Sequence, residues 1–421
     1  MLELKTWLDV NPKHDFSIYN IPFGIFYTGQ NPKNARCGAA LGDYIIDLSA
    51  LYEFGYFKHH KNLQEKHFKT DKLNCFLSLG NKICNDVRIS IQELFSTQNQ
   101  ILRKNSEHLE KILVPMQTAE MLMPIKVADY VDFYSSLDHA TNVGKMFRDE
   151  KNPLLPNWKH IPIGYHGRSS SIVTTKTNII RPKGQLCPPD SNQPTFGPSK
   201  QLDFELEMAF VTNQDTEMGT ALTPDSAAHN IFGLALFNDW SARDIQRWEY
   251  VPLGPFLGKS FASSMSPWLV SLEALAPFSL PSIDKDVEEL EYLKGTKNGR
   301  YDITLEVYLK SSKMDGEILI SKSNYKHMYW TLFQQLAHMT SNGSPIRVGD
   351  LYASGTISGP TPDSYGSMLE ICWKGSKPLS LPDGTTRTFL QDGDTIIFKG
   401  YAENSLFRVG FGSLFNTVIS S

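Results

Sequence analysis

The chain has 421 residues, 41% of them hydrophobic, which is more than one hydrophobic core accommodates, so two domains are expected. Its 41 basic and 45 acidic residues leave a formal charge of −4, with a pI near 6.3, and give no electrostatic footprint for nucleic acid. No apolar run approaches the length of a membrane span, and Met1-Leu2-Glu3-Leu4-Lys5 lacks the basic start and apolar stretch of a secretory signal. Five cysteines (Cys37, Cys75, Cys84, Cys187, Cys372) are scattered without a C-x-x-C spacing. They read as reduced thiols of a cytosolic protein, neither zinc ligands nor a disulfide framework.

In chain order, Phe23 to Tyr27 and Arg36 to Ile46 read as short strands with Gly42-Asp43 as a turn, and Asp71 to Leu113 reads as polar and helical. Val114-Pro115 through Pro124 reads as a linker, after which aromatics, Gly and Pro become dense and short strands dominate. A small N-terminal domain over residues 1–121 and a larger β-rich domain over 122–421 are therefore expected. No internal repeat or low-complexity tract is visible.

Asp132-Phe133-Tyr134 alternates, so Asp132 and Tyr134 face one way, and the chain then turns helical behind a Ser or Asp cap. A histidine near a helix start is usually structural or exposed. His139 is the better base candidate among 11 histidines because Asp132 and Tyr134 immediately precede it. Arg148 falls on the opposite side of a continuous helix from His139. A shared pocket requires the helix to end or bend near Gly144, or Arg148 to reach round.

Leu202 to Met208 alternates acid and apolar residue, so as one strand it puts Asp203, Glu205 and Glu207 on one face. Acids two apart on a strand lie roughly 7 Å from each other, close enough to bracket one hard cation and too far to share a proton. A solvated edge strand carries the same pattern. Ile231 to Phe237 reads as a buried strand that ends in Asn238-Asp239-Trp240-Ser241-Ala242-Arg243, where Asn238, Asp239 or Ser241 caps a helix. On that helix Asp239, Arg243, Gln246 and Tyr250 share one face. An acid, a guanidinium, an amide and a phenol together, with Trp240 and Trp248 alongside, point to a site rather than to a solvated face.

Gly254 to Ser260 looks like a phosphate loop, but three residues rather than four separate its glycines and Pro255 removes a backbone donor. Nucleotide binding is excluded. Lys259 is either a site residue or an exposed loop lysine. In Met368 to Trp373 a single acid, Glu370, interrupts an apolar strand. Buried without a partner it would shift its pKa upward or cost several kcal/mol, so it requires a histidine or one of the 41 basic residues.

These stretches resemble the fumarylacetoacetase family, hydrolases that end tyrosine and phenylalanine catabolism. The resemblance rests on Asp-Tyr-Val-Asp-Phe-Tyr-Ser-Ser (129–136), His-Ala-Thr-Asn-Val-Gly (139–144), Gly-Tyr-His-Gly-Arg (164–168), Leu-Glu-Met-Ala-Phe (206–210), Asn-Asp-Trp-Ser-Ala-Arg-Asp-Ile-Gln (238–246), Pro-Leu-Gly-Pro-Phe-Leu-Gly-Lys-Ser (252–260) and Ser-Gly-Thr-Ile-Ser-Gly (354–359). It runs through essentially the whole chain. The acidic strand and the Asn-Asp-Trp-Ser-Ala-Arg-Asp stretch are shared with a broad superfamily, whereas the N-terminal part and the His-Ala-Thr-Asn-Val-Gly segment look specific to the family.

What the resemblance implies is an α+β, mainly β fold: a small N-terminal Src-homology-like β-barrel followed by a larger mixed β-sandwich roll, assembled as a cytoplasmic homodimer. It implies a divalent cation, Mg²⁺ or Ca²⁺, held by Asp132, Glu205, Glu207 and Asp239 with Lys259 and Ser263 nearby. It implies His139 as general base oriented by Glu370, with Arg243, Gln246 and Lys259 as oxyanion donors. Tyr134, Arg148, Tyr165, Gln246, Tyr250 and Thr356 fall at substrate contacts. Ser263 stands where the family pattern carries threonine, keeping the hydroxyl and losing a methyl.

The implied reaction is hydrolysis of the carbon-carbon bond of 4-fumarylacetoacetate to fumarate and acetoacetate. Relatives in the superfamily act on acylpyruvates or related β-keto acids as hydrolases, decarboxylases or hydratases. Arg148, Tyr165, Tyr250 and the N-terminal domain argue against those activities. A catalytically silent scaffold would have lost His139 or Glu370, and both are present.

Overall fold

The computed structural model describes residues 4–295 and 298–421, so Met1 to Glu3, part of the stretch read for a leader, lie outside the described residues. The fold is mainly β-sheet with short helices. Near the N-terminus, Phe23–Thr28, Arg36–Leu41 and Tyr44–Asp47 run antiparallel, with Gly42 at φ 58° turning the second into the third. Only glycine adopts that angle without steric penalty. Two further strands, Leu113–Pro115 and Ala119–Leu122, close the two edges of this five-stranded sheet, which remains an open, curled half-barrel. The stretch expected to be a linker is therefore sheet. Its alternation is too short to show in sequence, and it becomes strand only because Tyr44–Asp47 and Phe23–Thr28 offer unpaired edges. Between them the polar stretch is helical, chiefly Gly80–Leu94 and Ser106–Ile112.

The larger part is built on two sheets. The first runs Gly164–His166, Tyr130–Phe133, Leu351–Ala353, Leu206–Thr212, Ile231–Asp239, Ser263–Met265 and Ile172–Thr174 in spatial order, with Val270–Ser271 also paired to Ile231–Asp239. The second runs Ile318–Asn324, Thr304–Lys310, Thr395–Glu403, Arg408–Ile419 and Ile179–Ile180. Every residue of Leu206–Thr212 and of Ile231–Asp239 is buried, as expected for central strands covered on both faces. The sheets meet where the Phe204 and Phe398 rings stand edge to face at 5.8 Å. At Gly400 a Cβ would come within 2.8 Å of Leu236, so the glycine permits the close approach. Among the described residues no helix is long and apolar enough to cross a membrane.

A single hydrophobic cluster runs from Ile18 to Val418 and includes both the N-terminal sheet and the central strands. At the start of Ile231–Asp239, Phe232 packs its ring 6.1 Å from that of Phe23. Both side chains are essentially inaccessible to solvent. Phe232→Ala is therefore expected to lower the unfolding free energy by about 3–5 kcal/mol, read from the urea midpoint. A loss under about 1 kcal/mol would show that the two parts do not depend on a shared core.

Candidate active site

Pairing registers bring separate carboxylates to one face of the first sheet. Glu207 lies opposite Phe237, and Asp239, two residues further, points the same way. Ala209 lies opposite Ala353, which is in register with Asp132 on the next strand, so Asp132 joins the same face. Glu205 precedes the strand and is held by a bridge to Ser367. Asp132, Glu205, Glu207 and Asp239 are all buried, with one oxygen of each within 4.8 Å of the others.

Three side chains close on this cluster. Lys259 Nζ donates to Asp239 at 2.7 Å and also to Glu205, and Ser263 Oγ donates to Asp239 at 2.9 Å. The Tyr165 hydroxyl lies 3.0 Å from Asp132 and 2.8 Å from Asp239. Lys259 is only 6% exposed, which excludes the loop-lysine alternative. It is seated by the short Leu257–Ser260 helix, whose entry is fixed by Glu249 accepting from the Phe256 and Gly258 N–H groups at 3.1 and 2.6 Å. A Cβ at Gly258 would meet the Gln246 backbone nitrogen at 2.7 Å, so this helix lies hard against Arg243–Glu249.

The charge is unbalanced. Burial, then the neighbouring carboxylates, push Asp132 and Glu207 well above the ordinary carboxylate range. Burial also acts to raise Glu205, but the Lys259 and Arg243 cations outweigh it and hold that group down to about 2. Lys259 is raised, because Asp239 and Glu205 outweigh the burial that opposes its charge. Among the described residues, Asp132 Oδ1 and Glu207 Oε1 are buried without a hydrogen-bond donor. Four converging oxygens, two of the carboxylates with an unsatisfied atom, and more acid than base fit a hard divalent cation.

Beside the cluster stands an imidazole-carboxylate pair. Ser136 caps the Leu137–Phe147 helix and places His139 in its first turn. His139 Nδ1 is 2.7 Å from Glu370 Oε2. Glu370 also accepts from Asn142 at 2.9 Å, from Ser358 at 2.9 Å to each oxygen, and from Ser367 at 2.9 Å. Burial works to raise its pKa, but the His139 charge and these hydrogen bonds prevail and lower it. With Nδ1 bonded to Glu370, the neutral imidazole carries its lone pair on Nε2. His139 is close enough for its charge to bear on Glu205, and the Tyr134 ring stands edge-on to it at 5.3 Å.

Three local expectations are corrected. Glu370 lies on a short helix, Met368–Ile371, not in a strand, because Ser367 accepts from the Glu370 N–H and caps it. Asp239 ends the strand Ile231–Asp239 and is not on the helix, which begins at Arg243; pairing to Ser263 extends the strand past Phe237. Arg243, Gln246 and Tyr250 retain helical spacing. The acidic run is broken after Asp203, which turns to Arg243 at 2.9 Å and does not join the carboxylate cluster.

Arg243 Nη1 reaches Glu205 at 2.8 Å and Gln246 at 3.4 Å, while Nη2 is buried with no partner among the described residues. The Tyr134 hydroxyl is likewise buried and unpartnered. The helix ends at Phe147, and Arg148 follows as its cap. Arg148 is exposed, donates to the Pro153 carbonyl at 3.3 Å, and is near enough to act electrostatically on Tyr134. Thr356 is buried, and Tyr250 is 52% exposed at its helix end.

Sequence reading missed Asn142, Ser358 and Ser367 around Glu370, Glu249 beneath Lys259, and Gly355. Asn142 is three residues from His139 on one helix face, a spacing that marks it as a neighbour. Gly355 sits at φ 79° and donates its N–H to Glu207 at 3.0 Å. A Cβ there would meet the Phe133 carbonyl oxygen at 2.3 Å, so any larger residue displaces the strand carrying Asp132.

The family described as fumarylacetoacetate hydrolase, C-terminal, matches residues 129–419, and that described as fumarylacetoacetase, N-terminal, matches residues 19–124. Curated relatives named fumarylacetoacetase are 48% identical in Arabidopsis thaliana, covering 100% of both chains, and 46% identical in Homo sapiens, covering 98% of each. Among solved structures, the fumarylacetoacetate hydrolase of psychrophilic Exiguobacterium antarcticum shares the fold, with a TM-score of 0.52 at 18% identity over 95% of this chain and 100% of that one.

The raised Asp132 and Glu207 carboxyls set a pH dependence. The folded, cation-free chain binds protons more tightly there than the unfolded chain does. Its stability should therefore fall as pH rises through and above the ordinary carboxyl values of 3.8 for Asp and 4.5 for Glu. A divalent cation bound there would compete with those protons, so titration with Mg²⁺ or Ca²⁺ should raise the melting temperature increasingly toward neutral pH, with proton release measurable by calorimetry in two buffers. Cation affinity independent of pH would contradict the raised carboxyls.

Proposed function

This chain belongs to the fumarylacetoacetate hydrolase family, and from that premise we propose that it hydrolyses 4-fumarylacetoacetate to fumarate and acetoacetate, the last step of tyrosine and phenylalanine catabolism. The observation that carries this reading is the His139–Glu370 pair beside a buried four-carboxylate cluster. Asp132, Glu205, Glu207 and Asp239, with Lys259 and Ser263 against them, would hold a cation, which would supply positive charge to the oxygens of a β-diketo acid. Mg²⁺ and Ca²⁺ are the proposed cations, on the all-oxygen donor set.

His139 Nε2 takes a proton from water, and the oxygen forms a bond to the carbonyl carbon of the fumaroyl group. Glu370 holds the tautomer and stabilises the imidazolium. The oxyanion is met by Arg243, Gln246 and Lys259; the unpartnered Arg243 Nη2 supports that role. Collapse breaks the carbon-carbon bond, whose electron pair leaves with the acetoacetate carbon, and the imidazolium returns its proton there. Tyr134, Arg148, Tyr165, Gln246, Tyr250 and Thr356 are the proposed substrate contacts.

The same proposal takes residues 1–121 as the small domain and 122–421 as the catalytic one, in a cytoplasmic homodimer. Five free thiols support a reducing compartment. Trp248, Tyr250, Val251, Leu253, Phe256 and Leu257 are 40, 52, 66, 98, 62 and 51% exposed within ten residues. Apolar surface so concentrated favours a subunit contact. Leu253→Asp should shift the sedimenting species from dimer to monomer, and a wild-type monomer at micromolar concentration would remove the dimer.

Turnover should appear as fumarate release, and preferential decomposition of an acylpyruvate or oxaloacetate would move the assignment to another activity of the superfamily. His139→Ala should lower kcat by at least about 100-fold with cation affinity near wild type. A variant retaining most activity would remove the proposed base.

A further inference from the structure

We infer that Asp203 is a positioning residue that ties the general base to the oxyanion donor through one carboxylate; this rests on the roles just proposed for His139, Glu370 and Arg243. Asp203 is fully buried. Its Oδ1 accepts from the Met368 N–H at 2.7 Å and the Phe204 N–H at 2.8 Å, and its Oδ2 from Arg243 Nε at 2.9 Å and the Leu369 N–H at 3.1 Å. These donors come from three separate stretches of chain. A carboxylate serving only as the counterion of Arg243 would not need the other two.

Met368 and Leu369 open the four-residue helix whose third residue is Glu370. A helix that short has no stability of its own, so its register is imposed from outside. Asp203 takes its first two N–H groups, and Ser367 takes the third at 3.3 Å. Glu370 is thereby delivered to His139. On the other side, Asp203 fixes Arg243 Nε while Glu205 fixes Nη1 at 2.8 Å, which sets the guanidinium plane and leaves Nη2 buried with no partner. Pairing of Asp203 with Ser241 and of Leu202 with Ala242 places the carboxylate beside the start of the Arg243 helix. Moving Asp203 therefore shifts base and oxyanion donor together, and a displacement of about 1 Å is enough to cost about 100-fold in rate.

Asp203→Asn keeps the size but turns an amide N–H₂ toward a donor. We expect kcat to fall about 100-fold with KM within about threefold, and with cation affinity by calorimetry unchanged. In a Glu370→Gln background the same substitution should cost clearly less than in the wild type, the remaining loss being the part that acts through Arg243. Equal losses in the two backgrounds would overturn the inference, since a general structural role is additive. A readout independent of turnover is the downfield proton resonance of His139 Nδ1. It should vanish in Glu370→Gln and shift in Asp203→Asn; an unchanged resonance with unchanged kcat overturns the inference.

If the wild-type chain does not hydrolyse fumarylacetoacetate, the functional reading fails while the resonance still tests the positioning. Should Asp203→Asn not fold, Asp203→Glu keeps the charge and moves it, and should lower kcat at least tenfold, by the order of magnitude of a small misplacement, with normal cation binding. Failure of both variants to fold would show a determinant of the fold rather than of catalysis, and overturn it.

Discussion

Burying more negative charge than positive in one place is the constraint on which the rest of this structure depends. Asp132, Glu205, Glu207 and Asp239 meet within 4.8 Å, against the ammonium of Lys259 and a guanidinium that Glu205 shares with Asp203. Isolated charges in such a medium are strongly unfavourable. The strain shows in the Asp132 and Glu207 carboxyls, whose pKa values burial and the neighbouring acids raise. That excess of acid fits the cluster to a divalent cation. A site built on this imbalance needs rigid walls, because carboxylates free to move would separate, and the central strands supply them.

That rigidity is distributed along one strand. Ile231–Asp239 is buried from end to end. At its start Phe232 packs against Phe23 of the N-terminal sheet, and in its middle Leu236 closes on Gly400 of the second sheet. At its end it delivers Asp239. Apolar burial at one end thus holds against the repulsion at the other. Gly355 serves the same purpose on the neighbouring side, its lack of a side chain letting the 355 N–H reach Glu207 and the Phe133 carbonyl pass close by.

The imidazole pair is organised on a different principle. Glu370 is kept ionised in a buried position by donors: His139, Asn142, Ser358 and Ser367 all point at it. A carboxylate so satisfied has no remaining appetite for a cation. Two kinds of buried acid therefore lie close together. One kind is under-supplied with donors and suited to metal, the other fully supplied and suited to orienting a base.

Much of this was legible in the amino-acid order, because it depends on local periodicity and residue chemistry. The alternation around Glu205 and Glu207, the apolar run into Asp239, the Ser136 cap that starts the His139 helix and the lone acid at 370 each carry their meaning within about ten residues. The linker reading of Val114 to Pro124, the helical placement of Asp239 and the strand around Glu370 failed for one reason. Each was settled by a partner outside the segment: the edges of the N-terminal sheet, Ser263, and Asp203, which takes the first two N–H groups of the Glu370 helix. Sequence alone determined which side chains are capable of the chemistry. Only the tertiary structure decided which carboxylates share a space and which one joins Arg243 to the Glu370 helix, because register across strands and donors reaching over more than a hundred residues have no local signature.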